Sequence, residues 1–419
     1  MKKLFSIKIL LSPWVILGSL VSSFFIGHYA PIFSLQLQPF GELFLDLLKM
    51  CVIPIVITAI PSGFAHMLMK KFDARILRRM ALMFVMVALL LSFVGIVVAE
   101  VFHFGNLTAD AKQRLGQLLL QDHTASAAAS HGGSGSALTR FMSNFVSGNI
   151  FIAFVNNNML AILTFAIMFG LALGLICTQA GEQVVLTLQG LFAAFLKLIN
   201  GLIYFLPFGI ICLISAQVAS TGFEVFKVAS QLIIGTYAIG TVAIVIAIFT
   251  LSRLLKSPWY RVIYHFREML IIAFVSQSSY ASFPLGLKAF EQKYRLNQDK
   301  VNLFFPLTVV LSPVGMAVLA SMTTVFAANL YSIHLNLSDL VVVWLAAVFI
   351  SIAIGGVPAV IGMTMMSIAF HPLGIPLGPM VILLIAISNI VDPIITVMNA
   401  SINAAEVAYL TKVSEKHSS

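Results

Sequence analysis

Six apolar segments, each long enough to cross a bilayer, follow one another through the first 255 residues, at 10–32, 41–69, 79–102, 149–177, 185–219 and 226–255. A helix needs about 20 apolar residues to span the hydrocarbon core, and with no water there every backbone polar group has to be satisfied within the protein. Helices and closed barrels alone meet that condition. Barrel strands would appear as alternating segments of about ten residues, whereas these runs are continuous. The fold class expected is therefore all-α and polytopic. Composition agrees: 60% of the 419 residues are hydrophobic and 9% charged, against about a quarter charged in soluble domains. The bias covers the whole chain, which excludes a soluble protein and a single-span anchor. Lys2, Lys3 and Lys8 precede the first segment, which outruns a signal-peptide core and lacks a good cleavage site, so it reads as a retained span. Cys51, Cys177 and Cys212 lie in apolar runs without C-x-x-C spacing, so they read as lipid-buried thiols, with no disulfide framework or zinc site.

From Pro258 onward the pattern changes. Small, polar and proline residues interrupt the apolar stretches in SQSSYASFP (276–284), LSPVGMA (311–317), SIAIGGVPAVIG (351–362) and SNIVDPIITVMNASIN (388–403). Irregular backbone facing lipid is too costly, so such breaks are buried in protein or line a cavity. In transporters, broken segments of this kind point to a binding site.

The basic residues supply orientation. Three precede the first segment, five lie at 70–79, four at 253–267, four at 288–300 and two in the C-terminal tail, which makes eighteen of the 24 Lys and Arg residues. They fall on one side, taken as cytoplasmic, if 276–284 is the tip of a hairpin entering from that side and 340–373 a hairpin entering from the other. Both termini are then cytoplasmic. The net charge of +9 becomes an orientation signal, and nucleic acid is excluded as a partner. The loop 104–148, with TASAAASHGGSGSA at 124–137, reads as a flexible external linker; His123 and His131 within it are a weak metal pair, and Asn106-Leu-Thr a glycosylation acceptor only in a secretory setting.

On the last apolar segment Ser388, Asp392, Thr396, Asn399 and Asn403 are spaced by 4, 4, 3 and 4 and share one helical face. An Asp at the centre of a membrane helix costs about 3 kcal/mol on insertion scales, so this stripe faces a cavity or a polar partner; the alternative is interhelical hydrogen bonding. Asp392 is the one carboxylate expected near mid-membrane, suited to an ammonium group or a cation. Pro393 denies the carbonyl of Asn389 its helical donor. Ser276, Ser278, Ser279 and Ser282 crowd the first hairpin tip, where a helix N-terminus suits a carboxylate, an ordinary polar turn being the alternative. Gly355-Gly356-Val357-Pro358 permits a sharp turn. Lys49 and Lys197 fall within spans and snorkel without a site role.

FGELFLDLLKMCVIPIVITAI (40–60), NNNMLAILTFAIMFGLALG (156–174), SQSSYASFP, GGVPAVIG and DPIITVMNASIN together resemble the dicarboxylate/amino acid:cation symporter family, the glutamate-transporter-like proteins, in order over nearly the whole chain. The resemblance implies eight transmembrane helices plus two re-entrant helical hairpins, a homotrimer in the lipid bilayer of a bacterial inner membrane, and a transport domain moving as a rigid body past a scaffold. Residues 1–257 would hold the first six spans, 258–412 the transport core, and 413–419 a cytoplasmic tail. Within the core it implies hairpin 1 at about 262–296, span 7 at 301–331, hairpin 2 at 340–373 and span 8 at 377–411.

Residue by residue, the resemblance implies substrate contacts at Ser278 and Ser279 for an α-carboxylate, at the hairpin 2 gate Gly356, Val357 and Pro358, and at Asp392 for an amino group, followed by Thr396 and Asn399. Where acidic-substrate members keep an arginine, this chain has Ile395, which cannot pair a side-chain carboxylate. Cation ligands are implied at Ser312, Ser351, Asn399 and Asn403. The family's NMDGT reads Ser312-Pro313-Val314-Gly315-Met316 and its second cation-site aspartate reads Asn403. Two carboxylates are thus missing, and coupling to H⁺ or Na⁺ is expected to be altered. No cofactor beyond the coupling ion is expected. The function implied is secondary active transport of an amino acid or small dicarboxylate, neutral amino acids favoured. An uncoupled, channel-like or degenerate member is the alternative. A membrane-embedded enzyme is more distant, since no HExxH or GxSxG occurs.

Overall fold

A computed structural model describes residues 13–69, 74–106, 136–156, 158–176, 178–221, 224–294, 296–354, 362 and 365–415. Among these residues every regular element is helical. The first half holds α1 (Pro13–Tyr29), α2 (Pro31–Met50), α3 (Val52–Met69), α4 (Ala74–Val101), α5 (Ala137–Ser143), α6 (Ile150–Val155), α7 (Met159–Leu175), α8 (Gln179–Ile203), α9 (Leu206–Thr221) and α10 (Glu224–Leu255). The second holds α11 (Trp259–Ser276), α12 (Ser279–Ala289) running into a π-turn at Phe290–Tyr294, α13 (Gln298–Leu311), α14 (Gly315–Leu330), α15 (Leu337–Ala353), α16 (Ser367–Leu373) and α17 (Gly378–Glu415). Residues 78–101 and 229–255 are long and apolar enough to cross a membrane as single helices.

Three apolar segments expected as unbroken are divided, each for a local reason. The segment 41–69 is preceded by helix from Pro31 and interrupted at Cys51, because Pro54 has no N–H to give the carbonyl of Met50. Segment 185–219 splits into α8 and α9 at Tyr204–Phe205, where Pro207 does the same to Ile203. Segment 149–177 splits into α6 and α7 at the asparagines; the Asn158 side chain accepts the Ala161 N–H at 3.2 Å and starts α7 as its N-cap.

Two of the four interrupted motifs of the second half, 276–284 and 311–317, break the helices among the described residues. The chain turns between α11 and α12 at Gln277, whose φ of 53° is left-handed, and the two helices pack against each other as a hairpin. Between α13 and α14 the helix lapses at Ser312, Pro313 and Val314. The residues α15 and α16 also pack together, while the gate Gly356, Val357 and Pro358 lies outside the described residues, as do Cys177, His123 and His131. Pro393 does not end α17, which continues for 38 residues.

Packing gathers around two helices. α14 has every residue buried except Asn329, whose side-chain amide donates to the carbonyl of Phe104 at 2.8 Å; it lies against α4 and α15. α17 is flanked by α10, α11, α12, α13 and α14. The indole N–H of Trp344 on α15 donates to the carbonyl of Leu89 on α4 at 2.7 Å. Large apolar side chains such as Phe25, Phe33, Met86, Leu90 and Ile246 remain exposed, which suits a helix face turned to lipid.

Several close helix contacts are made through glycine, which membrane helix packing favours in the absence of a hydrophobic drive between helices. A Cβ on Gly170 of α7 would lie 2.7 Å from Cα and 2.9 Å from the carbonyl oxygen of Pro61 on α3, whereas a Cβ on Gly190 would meet nothing within 4 Å. Gly170→Ala should therefore cost about 1–3 kcal/mol by forcing backbones apart, while Gly190→Ala should be neutral or slightly stabilising. Thermal unfolding midpoints of the two variants in detergent test the difference.

Candidate functional site

The polar stripe of α17 meets the lapse between α13 and α14. Ser388, Asp392, Thr396, Asn399 and Asn403 are all buried. Asn399 Oδ1 accepts the backbone N–H of Gly315 at 2.7 Å. Gly315 is the first residue of α14, so its N–H has no helical acceptor and the asparagine supplies one. The approach is close because position 315 has no side chain: a Cβ there would lie 2.8 Å from Ile395, 2.8 Å from Met398 and 3.0 Å from Asn399.

The remaining groups of the lapse are held in the same way. Ser351, on α15, donates its hydroxyl to the carbonyl of Pro313 at 3.1 Å. Ser312 donates its hydroxyl to Glu406 Oε1 at 3.0 Å. Tyr237, on α10, donates to the carbonyl of Ile390 at 2.8 Å, next to the Asn389 carbonyl that Pro393 leaves without a donor. Ser388 bonds within its own helix, to the carbonyl of Ile385 at 2.7 Å.

Asp392, expected as the one carboxylate near mid-membrane, shares the interior with a second, Glu406. Glu406 is 4% exposed and Asp392 8%, and these are the two charged side chains that are buried among the described residues; no buried Lys or Arg accompanies them. The signal for Glu406 was in the sequence, since 392, 399 and 406 repeat every seven residues on one face. Asp392 Oδ1, Asn403 Oδ1 and Glu406 Oε2 are buried with no hydrogen-bond partner. Ionised or polar oxygens left this way carry a desolvation penalty that a ligand can offset. Carboxylate and amide oxygens of this kind are the donors that an alkali or other hard cation takes. Among the described residues no three His, Cys, Asp or Glu side chains converge as they would on a transition metal.

The first hairpin reaches α17 through both its arms, α11 and α12. Ser278 sits between them and Ser279 opens α12. Their carbonyls accept from Ser282, which gives its N–H to Ser278 at 3.3 Å and its hydroxyl to Ser279 at 3.1 Å. Ile395 is buried against Gly315, with no cation in its place. Lys197 is exposed.

Comparison with known proteins covers the same span. A model of the sodium:dicarboxylate symporter family matches residues 11–413. The chain is 26% identical over 400 residues to a proton/sodium-glutamate symport protein of Geobacillus stearothermophilus, covering 95% of this chain and 92% of the relative. It is 26% identical over 414 residues to the proton/glutamate-aspartate symporter of Escherichia coli, with 96% and 93% covered. It is 25% identical over 346 residues to C4-dicarboxylate transport protein 2 of Mesorhizobium japonicum, with 82% and 76% covered.

Asn399→Ala would strand the Gly315 N–H in the interior, at a cost of about 1–3 kcal/mol. Ser388→Ala removes a bond that its helix carbonyl does not need and should cost less than about 1 kcal/mol. Thermal unfolding of both variants compares the two.

Proposed function

Because the chain belongs to the sodium:dicarboxylate symporter family, a family of transporters and not of enzymes, we propose that it is a secondary active transporter that carries a small amino acid across the membrane with a cation. One observation carries the reading: Asp392 is buried on the polar face of α17 with Oδ1 unpartnered. A carboxylate so placed suits the ammonium group of an amino acid, the strongest complement available to it. Ser278 and Ser279, at the start of α12, take the α-carboxylate, where the helix N-terminus favours negative charge. Thr396 and Asn399 line the face between the amino-group end and the cation end, and the resemblance adds Gly356, Val357 and Pro358 as substrate contacts.

The charge balance favours a neutral side chain. The buried charges described are both acidic, and Ile395 offers no partner to a second carboxylate. The named relatives carry glutamate, aspartate or C4-dicarboxylates; for this chain a dianionic substrate would meet like charge without an arginine. Coupling is to H⁺ or Na⁺, with Ser312, Ser351, Asn399 and Asn403 near the ion. In this reading eight spans and two hairpins lie in a bacterial inner membrane with both termini cytoplasmic, three copies assemble, and 258–412 moves with part of 1–257 against a scaffold formed by the rest of 1–257.

Uptake of a panel of amino acids and dicarboxylates into vesicles, with Na⁺ and pH gradients imposed separately, tests the reading. Concentration of a neutral amino acid against its gradient is expected, and equilibration alone would identify the uncoupled alternative. Asp392→Asn is expected to abolish amino acid uptake while the protein still inserts; uptake unchanged in that variant would mean that the stripe is structural.

A further inference from the structure

The two carboxylates missing from the family pattern leave the cation end of α17 without its expected charge, and Glu406 stands one turn further along the same face. Asn403 and Ser312 are each 1% exposed. The Ser312 hydroxyl has one proton, and it is committed to Glu406 Oε1. Glu406 Oε2 and Asn403 Oδ1 are then two buried acceptor oxygens with no donor. Residues three apart on a helix are neighbours. A long helical side chain leans toward the helix N-terminus, so the carboxylate at 406 covers the level of residue 403.

The lapse above them adds oxygen. Pro313 has no N–H for the carbonyl of Val309, and the last carbonyls of α13 have no helical donors. A carboxylate oxygen and an amide oxygen, buried without donors, are donors that a hard cation takes, and the backbone carbonyls of the break are oxygen donors of the same kind. Among the described residues no ion pair reaches Glu406 from the surrounding helices. Glu406, Tyr409 and Arg79 of α4 all line a groove of about 850 Å³ between α4, α10 and α17, but Arg79 is exposed. On α11, Arg261, Arg267 and Glu268 are exposed, and His265 is bonded to the Tyr294 hydroxyl at 3.0 Å.

We propose that Ser312, Asn403 and Glu406 form a sodium site in which Glu406 supplies the charge. Ser312 orients the carboxylate through Oε1, which leaves Oε2 for the coupling ion. This inference rests on the symporter reading of the chain.

The test needs no substrate. The thermal unfolding midpoint of the purified full-length protein is followed as NaCl replaces choline chloride at constant ionic strength. The wild type is expected to show a saturable rise with Na⁺. Glu406→Gln is expected to lose the rise or to need at least tenfold more Na⁺, Ser312→Ala to need several-fold more, and Asn403→Asp to need less. Should Glu406→Gln fail to fold, Ser312→Ala and Glu406→Asp carry the test through the same Na⁺ titration. A wild type indifferent to Na⁺, one stabilised by lowered pH in its place, or variants with unchanged Na⁺ dependence would overturn the site. Vesicle uptake by the wild type separates the two ideas: Na⁺ stabilisation without any uptake defeats the transport reading and leaves the site, and Na⁺-driven uptake unchanged in Glu406→Gln defeats the site alone.

Discussion

Helix that lapses inside a membrane loses bonds that water cannot replace, and the interior of this protein is arranged around one such lapse. At residues 312–315 three groups are met by side chains from two different helices: Asn399 accepts from Gly315, Ser351 donates to Pro313, and Glu406 accepts from Ser312. The arrangement fixes where α17 stands relative to α14 and α15. It also places the polar stripe of α17 against the lapse and keeps it from lipid, where an amide or a carboxylate would be costly. Structure and chemistry share the same residues here. Asn399 both completes the start of α14 and lies between the unpartnered oxygens of Asp392 and of Asn403 and Glu406.

Close packing elsewhere serves this arrangement. α14 can be enclosed on all sides because its neighbours approach through small residues; Gly95 on α4, for example, would place a Cβ 3.0 Å from the carbonyl of Val318. Enclosure removes water, which raises both the value of a satisfied bond and the penalty of an orphaned oxygen. The absence of a buried Lys or Arg among the described residues gives the interior a negative bias, and a cationic group or ion is the natural complement.

Much of this was legible in the residue order. Apolar segment length set the helical class, and the breaks at 276–284 and 311–317 were marked by serine and proline. The spacing of Ser388, Asp392, Thr396, Asn399 and Asn403 placed them on one face. Other features escaped. Pro54 and Pro207 were passed over because an apolar run reads as unbroken by composition, although each removes a donor and divides a helix. Glu406 continues the stripe one step beyond Asn403, and Pro393 lies inside α17 without ending it.

By itself the sequence determined that the chain is a bundle of apolar helices, that certain segments break, and which polar residues share a face of α17. Those properties follow from hydropathy, helical periodicity and the missing N–H of proline, all local. Only the tertiary structure decided that Asn399 meets Gly315, that Ser312 turns to Glu406 from 94 positions away in the chain, and which oxygens are left without a partner. Such pairings depend on how closely separate helices approach, and that is set by packing between segments that the sequence keeps far apart.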